Sequence, residues 1–122
     1  MPNPSQTGLP AGTGDDLLRA LSALANPHRL RILAALARRR EYVSQLARQI
    51  GMSRPLLHMH LQRLEAAGLV TGMLELSEEG KAMKYYEVVP FDLHLTPDRI
   101  SRAAESLSSE PVPGGGKETR DE

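Results

Sequence analysis

The sequence predicts a mainly α-helical domain with one small β-hairpin, and two observations predict it. Apolar residues recur with helical spacing over most of residues 15–68, and glycines stand where two of these helices would end. After Gly68 the pattern changes to two β-rich runs, VTGMLEL and MKYYEVV, which are joined by a segment with a glycine near its tip. The chain of 122 residues has room for one such domain.

Two helices are predicted in the first third of the chain. Asp15 and Asp16 open the first helix, because acidic side chains are favoured at the positive end of the helix dipole. Asn26 is a cap and Pro27 a first-turn proline, so the second helix starts there. Ile32 lies off the main stripe, so we expect it to contact a second neighbour. The apolar stripes are Leu17, Leu18, Leu21 and Leu24 in the first helix, and Leu30, Leu33, Leu36 and Ala37 in the second.

Residues 44–68 have the pattern of a helix-turn-helix, which is a short helix, a glycine turn and a longer helix. Ser44 is expected to cap the third helix, and Gly51 to end it in the left-handed conformation. Ser53 is expected to cap a fourth helix that spans about 53–67 and that Gly68 ends. The inward residues of this helix pair are Leu46, Ala47, Ile50, Leu57 and Leu61.

A short strand and a last helix are predicted after the hairpin. FDLHL at 91–95 alternates apolar and polar residues, as a strand does, and Thr96, Pro97 and Asp98 begin the helix. Four helices, a hairpin and a helix in this order form a winged helix-turn-helix. We expect residues 15–110 to form this domain, and the residues of 1–14 and 111–122, which are rich in proline and glycine, to be disordered. The inward residues of the last helix are Ile100, Ala103, Ala104 and Leu107.

The composition excludes several classes of protein. The chain has no cysteine, which excludes disulfides, zinc–thiolate sites and thiol redox chemistry and is compatible with the cytoplasm. No apolar run approaches the roughly 18 residues of a membrane span, and the first residues do not resemble a signal peptide. The sequence also lacks a glycine-rich phosphate loop, a nucleophile elbow and a tight carboxylate pair. We therefore expect neither an enzyme nor a bound cofactor.

The net charge is zero, but the charges are strongly polarised along the chain. Between His28 and Arg63 there are eight arginines and only one acid, Glu41, while acids prevail after residue 63. Such an excess favours a surface that faces an anion over arginines that merely solvate helices. The eight arginines are Arg29, Arg31, Arg38, Arg39, Arg40, Arg48, Arg54 and Arg63.

The motif His58-Met59-His60 raises the choice between a metal site and a nucleic-acid interface. Helical residues advance by about 100° each, so the two imidazoles point about 160° apart and do not close on one metal from one helix. Two helical histidines that share a metal are spaced i, i+4. We therefore predict no metal site, and we expect His60 to lie at the edge of the core with a satisfied ring nitrogen.

The outward face of the fourth helix has side chains suited to reading DNA. Gln62 can pair with adenine and Arg63 with guanine, while Pro55 or Met59 can press on a thymine methyl group. His58 borders this face, and Arg54 lies in the first turn. An ordinary amphipathic helix with a mixed surface is the alternative. The groove interpretation is favoured because it agrees with the distribution of charge.

Three stretches together resemble the ArsR-type winged-helix transcriptional regulators: LANPHRLRILAAL at 24–36, VSQLARQIGMSRPLLHMHLQRLEAAGLV at 43–70, and KYYEV at 84–88. The resemblance covers residues 15–95. It implies a homodimer that is held by the first and last helices. It also implies that the fourth helix enters the major groove of double-stranded DNA and that the hairpin touches the backbone or the minor groove.

The resemblance implies roles for individual residues. DNA contacts from the third and fourth helices would come from Ser44, Arg48, Ser53, Arg54, Pro55, His58, Met59, Gln62 and Arg63. Contacts from the hairpin would come from Lys81 and Lys84. The dimer would be held by Leu17, Leu18, Leu21, Leu24, Ile100, Ala104 and Leu107.

The chain departs from the family pattern in two places. Metal-sensing members place cysteines in the third helix, where this chain has Tyr42 and Ser44. Others use carboxylates and histidines on the last helix, whereas Asp92 and His94 precede that helix here and are better explained as outward positions on a strand. The tip of the hairpin carries acids, which disfavour contact with phosphates. The resemblance therefore implies a member that does not sense metal, and the sequence identifies no effector.

The sequence as a whole predicts a dimeric, sequence-specific DNA-binding transcriptional regulator. It would repress by competing with polymerase at a pseudo-palindromic operator. The alternative is a winged-helix protein-interaction module that docks an acidic partner through its arginine-rich surface. A ligand-responsive switch with a pocket at the dimer seam is a third hypothesis, for which the sequence names no residues.

Overall fold

The computed structural model of the protein describes residues 12–108. The helices are α1 (Gly14–Leu24), α2 (Pro27–Arg38), α3 (Val43–Ile50), α4 (Arg54–Ala66) and α5 (Pro97–Glu105), and the strands are β1 (Glu41–Tyr42), β2 (Val70–Leu76) and β3 (Ala82–Val88). The predicted order of four helices, a hairpin and a helix is confirmed. Of the residues 1–14 and 111–122, which we predict to be disordered, 1–11 and 111–122 lie outside the described residues. No helix within residues 12–108 is long and apolar enough to cross a membrane.

The caps of the first two helices set their starting points. Thr13 Oγ1 accepts a hydrogen bond from the Asp16 amide at 3.1 Å, and Asp16 Oδ2 accepts one from the Thr13 amide at 3.2 Å. This capping box starts α1 at Gly14, so the predicted boundary of the ordered domain at residue 15 is slightly late. Asn26 Oδ1 accepts from the amides of His28 and Arg29, which confirms the predicted cap of α2.

The helix-turn-helix consists of α3 and α4. Gly51 ends α3 with φ of 75°, and Gly68 follows α4 with φ of 79°, as predicted for glycines in the left-handed region. Ser53 caps α4 by accepting from the Leu56 amide at 3.4 Å. The prediction that Ser44 caps α3 is wrong. The helix begins at Val43 because Tyr42, held in β1, occupies the cap position without a side-chain hydrogen bond.

The core is aliphatic and centres on α4. On α2 the buried apolar residues are Ile32, Leu33 and Leu36, whereas Leu30 is 52% exposed. The predicted inward positions of Leu30 and Ala37 are therefore wrong. The buried face of α2 is rotated toward Ile32 because this helix contacts α1, α3, α4 and β3. The fully buried large side chains of the core are Ile32, Leu36, Leu46, Leu57, Leu61, Leu64, Leu69 and Tyr86.

The sheet is antiparallel and has the strand order β1-β3-β2. Tyr42 of β1 pairs with Tyr85 of β3, and Gly72 of β2 pairs with Tyr86. The pairing of β1 was not predicted because a two-residue strand has no periodic signal. The predicted strand at 91–95 is wrong, since residues 89–96 form no regular structure. Both edges of β3 are already paired, so this segment has no partner strand on β3.

Helix α5 packs on α1, where Gly14 is the point of closest approach. The Gly14 amide donates to Ser106 Oγ at 2.7 Å, and a Cβ at this position would collide with the carbonyl oxygen of Ala103. The prediction that Ile100 and Ala104 point inward is wrong within one chain, because both are exposed, whereas Ala103 is half-buried; no residue of α5 is fully buried. Ile100 and Leu107 are exposed.

Two adjacent leucines on α4 test this description of the core. Leu57 is completely buried and Leu56 is 41% exposed. We expect Leu57→Ala to lower the free energy of unfolding by about 2–5 kcal/mol, because it removes a core side chain and leaves a cavity. Leu56→Ala, the matched control, should change it by less than about 1 kcal/mol. Urea unfolding measures both, and equal losses would contradict the assigned orientation of α4.

Candidate nucleic-acid interface

Helix α4 has one buried and one exposed face. The buried residues are Leu57, His60, Leu61 and Leu64. Every residue predicted on the outward face is exposed, and these residues are Arg54, Pro55, His58, Met59, Gln62 and Arg63. Since both sets follow the helical repeat, the exposed side chains form one continuous surface along the helix. The burial pattern therefore agrees with the predicted outward face, while the contacts of its residues with DNA remain predictions.

Helix α3 and the cap of α4 provide further polar groups. Arg48 is exposed and Ser44 is half-exposed, so both are accessible to a ligand. Ser53 is exposed too, but its hydroxyl oxygen is engaged with the Leu56 amide. A phosphate contact by Ser53 would therefore have to use the donor of that hydroxyl or its backbone amide.

The structure divides the eight arginines into two groups. Arg29 is buried, Arg39 lies 3.3 Å from Glu41, and Arg40 lies 3.5 Å from Glu75. These three are engaged within the domain, so counting arginines along the sequence overestimates the cationic surface. The other five are exposed and form no ion pair within residues 12–108; they are Arg31, Arg38, Arg48, Arg54 and Arg63. Three of them belong to the helix-turn-helix.

A cluster of polar and aromatic side chains fixes the base of the hairpin. The Arg40 guanidinium lies 4.0 Å from the centre of the Tyr85 ring, which is a cation–π contact. The hydroxyl of Tyr42 donates to Glu75, and this hydrogen bond raises the pKa of Tyr42. The rings of Tyr42 and Tyr85 meet edge to face at 5.9 Å. This cluster joins β1 to the hairpin.

The cluster was not predicted, although its residues were visible in the sequence. Tyr85 and Tyr86 suggested a hairpin, but nothing in the sequence indicated which aromatic face meets Arg40. Glu41 was counted only as the single acid of the arginine-rich segment. It is buried and accepts from Gln49 Nε2 at 3.0 Å, so it ties β1 to α3.

The outer part of the hairpin has mixed chemistry. Lys81 and Lys84 are exposed, as are Glu78 and Glu79 at the tip. Lys84 Nζ lies 5.4 Å from the centre of the Tyr86 ring. Leu74 and Leu76 are each 71% exposed on the same strand face as Gly72. The outer part of the hairpin therefore presents two cations among acids and apolar side chains, which is a weak arrangement for binding phosphates.

The two histidines of the central motif lie in opposite environments. His58 is exposed, whereas His60 is buried and its Nδ1 lies 3.1 Å from Arg29 Nη1. The prediction of a core-edge histidine with a satisfied ring nitrogen is confirmed. His94 and Asp92 are exposed in the irregular segment before α5, and the described part of the chain contains no group of three metal-ligating side chains.

A helix-turn-helix followed by a β-hairpin defines a winged helix-turn-helix protein, and comparisons with known proteins give its family. A family model described as bacterial regulatory protein, arsR family, matches residues 26–71. An HTH-type transcriptional regulator of Methanocaldococcus jannaschii is 32% identical over 91 residues, which cover 75% of this chain and 95% of that protein. The chain belongs to the ArsR family of transcriptional regulators.

Solved structures agree with this assignment. A homodimeric winged helix-turn-helix DNA-binding domain of Mycobacterium bovis is 28% identical, with a TM-score of 0.52 over 75% of this chain and 74% of that one. NolR of Sinorhizobium fredii is 27% identical, with a TM-score of 0.52 over 75% and 80% of the two chains. These comparisons confirm the predicted fold and family. The matched family and the relative of Methanocaldococcus jannaschii are described as regulators of transcription and not as enzymes.

The buried histidine makes stability depend on pH. Burial lowers the pKa of His60 below its ordinary value of 6.5, and the charges of Arg29, His28 and Arg63 lower it further. Below about pH 6.5 the unfolded chain therefore binds more protons at this position than the folded chain, and stability falls as the pH drops toward the lowered pKa of the folded state. We expect urea unfolding between pH 7.5 and pH 5.5 to show this loss.

Two variants separate His60 from the other titrating groups. His60→Asn keeps a hydrogen-bond acceptor beside Arg29 but does not titrate, so its loss of stability toward low pH should be smaller. His94→Asn removes an exposed histidine and should keep the slope of the wild-type protein. Identical slopes for His60→Asn and the wild-type protein would contradict the prediction.

Proposed function

We propose that the protein is a homodimeric, sequence-specific repressor that reads double-stranded DNA with α4 in the major groove. The observation that carries this proposal is the continuous exposed face of α4, opposite a fully buried leucine face. Such a helix is held rigidly by its core side and leaves its outer side free for a ligand. We expect the protein to act in the cytoplasm, on the chromosome.

The exposed side chains of α4 suit two kinds of DNA contact. Gln62 carries the donor and acceptor pair that matches the major-groove edge of adenine, and Met59 offers an apolar contact to a thymine methyl group. Arg54 lies at the first position of the helix and its side chain is exposed. Arg48 on α3 is a cation without an acidic partner within residues 12–108. We assign base contacts to Gln62 and Met59, and phosphate contacts to Arg48 and Arg54.

The proposed dimer uses the layer formed by α1 and α5. Leu18 on α1, Ile100 on α5 and Leu107 just after α5 are exposed, although a soluble domain gains by covering such side chains. Leu17 and Leu21 are half-exposed, whereas Leu24 packs against the core of its own chain and contributes least. The homodimeric relative supports a second copy as the occupant of this face.

Repression follows from the size of such a complex. Two copies of α4 related by a two-fold axis would read half-sites about one DNA turn apart, roughly 34 Å. A dimer on such a site within a promoter would exclude polymerase.

Docking of an acidic protein on the same arginine surface is the second candidate, and the five exposed arginines without ion pairs favour it equally. Only the pattern of base recognition separates the two functions.

The first test is binding to the protein's own genomic DNA. We expect a selected fragment to bind far more tightly than bulk DNA, with an affinity that falls steeply as salt rises, because the arginines release counterions from the phosphates. Gln62→Ala should then lose about 1–3 kcal/mol on the selected fragment while its binding to bulk DNA changes little. Arg48→Ala should weaken both and lower the salt slope by about one.

Fluorescence anisotropy with the selected and a scrambled duplex measures both variants. Equal losses on the two duplexes for Gln62→Ala would refute the assignment of α4 to the groove. The absence of any preferred fragment, together with binding to acidic proteins, would favour the second candidate.

The dimer is tested by a charge placed in the α1–α5 layer. Ile100 is 52% exposed in the single chain, so Ile100→Glu is tolerated by the monomer but places a carboxylate in the proposed interface. We expect this variant to sediment as a monomer and to lose at least tenfold in affinity for the selected fragment. Leu74→Glu, on the hairpin, is the control and should remain dimeric. A dimeric Ile100→Glu variant would exclude this interface.

A further inference from the structure

Arg29 lies where α1, α2 and α4 meet, and its guanidinium bonds to two of these helices. The side chain is only 8% exposed. Its Nε donates to the carbonyl oxygen of Ala23 at 2.7 Å, and its Nη2 donates to that of Ser22 at 3.4 Å. Its Nη1 lies 3.1 Å from Nδ1 of His60. One side chain of α2 therefore joins the last turn of α1 to the buried face of α4.

The charge of Arg29 is compensated by the end of a helix, since no carboxylate pairs with it within residues 12–108. Ser22 and Ala23 lie in the last turn of α1, which has no basic residue of its own. Carbonyl groups at a helix C-terminus carry a partial negative charge and favour a cation beside them. Arg29 supplies this cation from the neighbouring helix, and that holds its guanidinium in a fixed place.

The chemistry of the guanidinium determines the state of His60. Arginine has five N–H donors and no acceptor. Nδ1 of His60 must therefore carry a lone pair, which makes the imidazole neutral, with its proton on Nε2. A protonated His60 would turn a second N–H toward Arg29 and add a like charge. The contact exists only while His60 is neutral.

We propose that Arg29 is a positioning residue for DNA binding, which through His60 sets the orientation of the recognition helix α4 relative to the dimer helix α1. This inference rests on the proposed function, in which α1 holds the dimer and α4 enters the groove. The two copies of α4 meet successive turns of DNA only if each keeps its angle to the dimer axis. The hydrogen bonds of Arg29 to α1 and its contact with His60 together form what we call the bridge. These polar contacts are directional, whereas the leucine contacts around them are not.

The bridge also makes DNA binding dependent on pH. The charged or titratable groups that face His60 are Arg29 and His28 on α2 and Arg63 on α4 itself. Acid that protonates His60 breaks the contact with Arg29 and should weaken DNA binding.

The experiment measures the affinity of the full chain for its selected DNA fragment from pH 7.5 to pH 5.5. Circular dichroism and sedimentation establish at each pH that the protein is folded and dimeric. His60→Leu removes the acceptor and should weaken binding at pH 7.5 on the order of tenfold, the effect of losing a hydrogen bond to a charged group. Arg29→Lys keeps the charge but lacks the fork that reaches both helices, and should weaken binding similarly.

His60→Asn is the conservative variant, because Asn Oδ1 takes the place of Nδ1 and accepts from Arg29 without titrating. It should bind DNA as the wild-type protein does at pH 7.5. Its affinity should fall less than that of the wild-type protein toward pH 5.5, because the loss caused by protonation of His60 is absent. His94→Asn is the matched control and should keep the wild-type profile. If His60→Leu does not fold, the DNA affinities of His60→Asn and Arg29→Lys together test the inference.

Three results would overturn the inference. Wild-type affinity for a folded, dimeric His60→Leu or Arg29→Lys would show that the bridge does not position α4, while leaving the proposed function intact. If the DNA affinity of His60→Asn depends on pH as that of the wild-type protein does, a neutral imidazole at His60 is not what DNA binding requires. If the wild-type protein prefers no DNA fragment, the proposed function fails and the inference falls with it.

Discussion

The domain depends on one constraint, which is that α4 must bury one side and leave the other side bare. Leu57, Leu61 and Leu64 are fully buried on the inner side, and α1, α2, α3 and β2 all pack against this helix. The same helix that completes the core therefore presents the candidate interface. Because the core holds it on every inner side, its outer side chains are displayed from a rigid support, which recognition of base edges requires.

Two charged residues inside the domain act as links between elements. Arg29 joins α2 to the end of α1 and to α4, and Glu41 joins β1 to α3. Buried charges that are fully hydrogen-bonded add little net stability, but they are costly to misplace, so they restrict how the helices can be arranged. Arg29 also shows why a count of arginines is a poor guide to the surface: a cation can serve the interior of the fold instead.

The parts of the fold that could be predicted are those with a local signal. The caps at Asn26 and Ser53 and the turn at Gly51 follow from backbone chemistry within a few residues, and the two faces of α4 follow from a helical repeat. The errors lie where distant partners decide. Tyr42 displaces Ser44 as the cap of α3 because it pairs with a strand some forty residues away, a pairing without local signal. The contact of Arg29 with His60 spans 31 residues, so the sequence could predict a satisfied ring nitrogen of the histidine but not its partner.

In the proposed dimer, assembly would be part of the structure of each chain because the last helix is short. Helix α5 has nine residues and buries none of them within one chain, yet isolated helices of this length are not stable in water. Contacts with α1 at Gly14 and Ser106 anchor only one of its faces. If the second copy covers Ile100 and Leu107, dimerisation supplies the missing burial and orders α5 at the same time. Formation of the dimer, the folding of α5 and the spacing of the two α4 helices would then be a single event, and a variant that breaks the interface should loosen α5 as well as abolish operator binding.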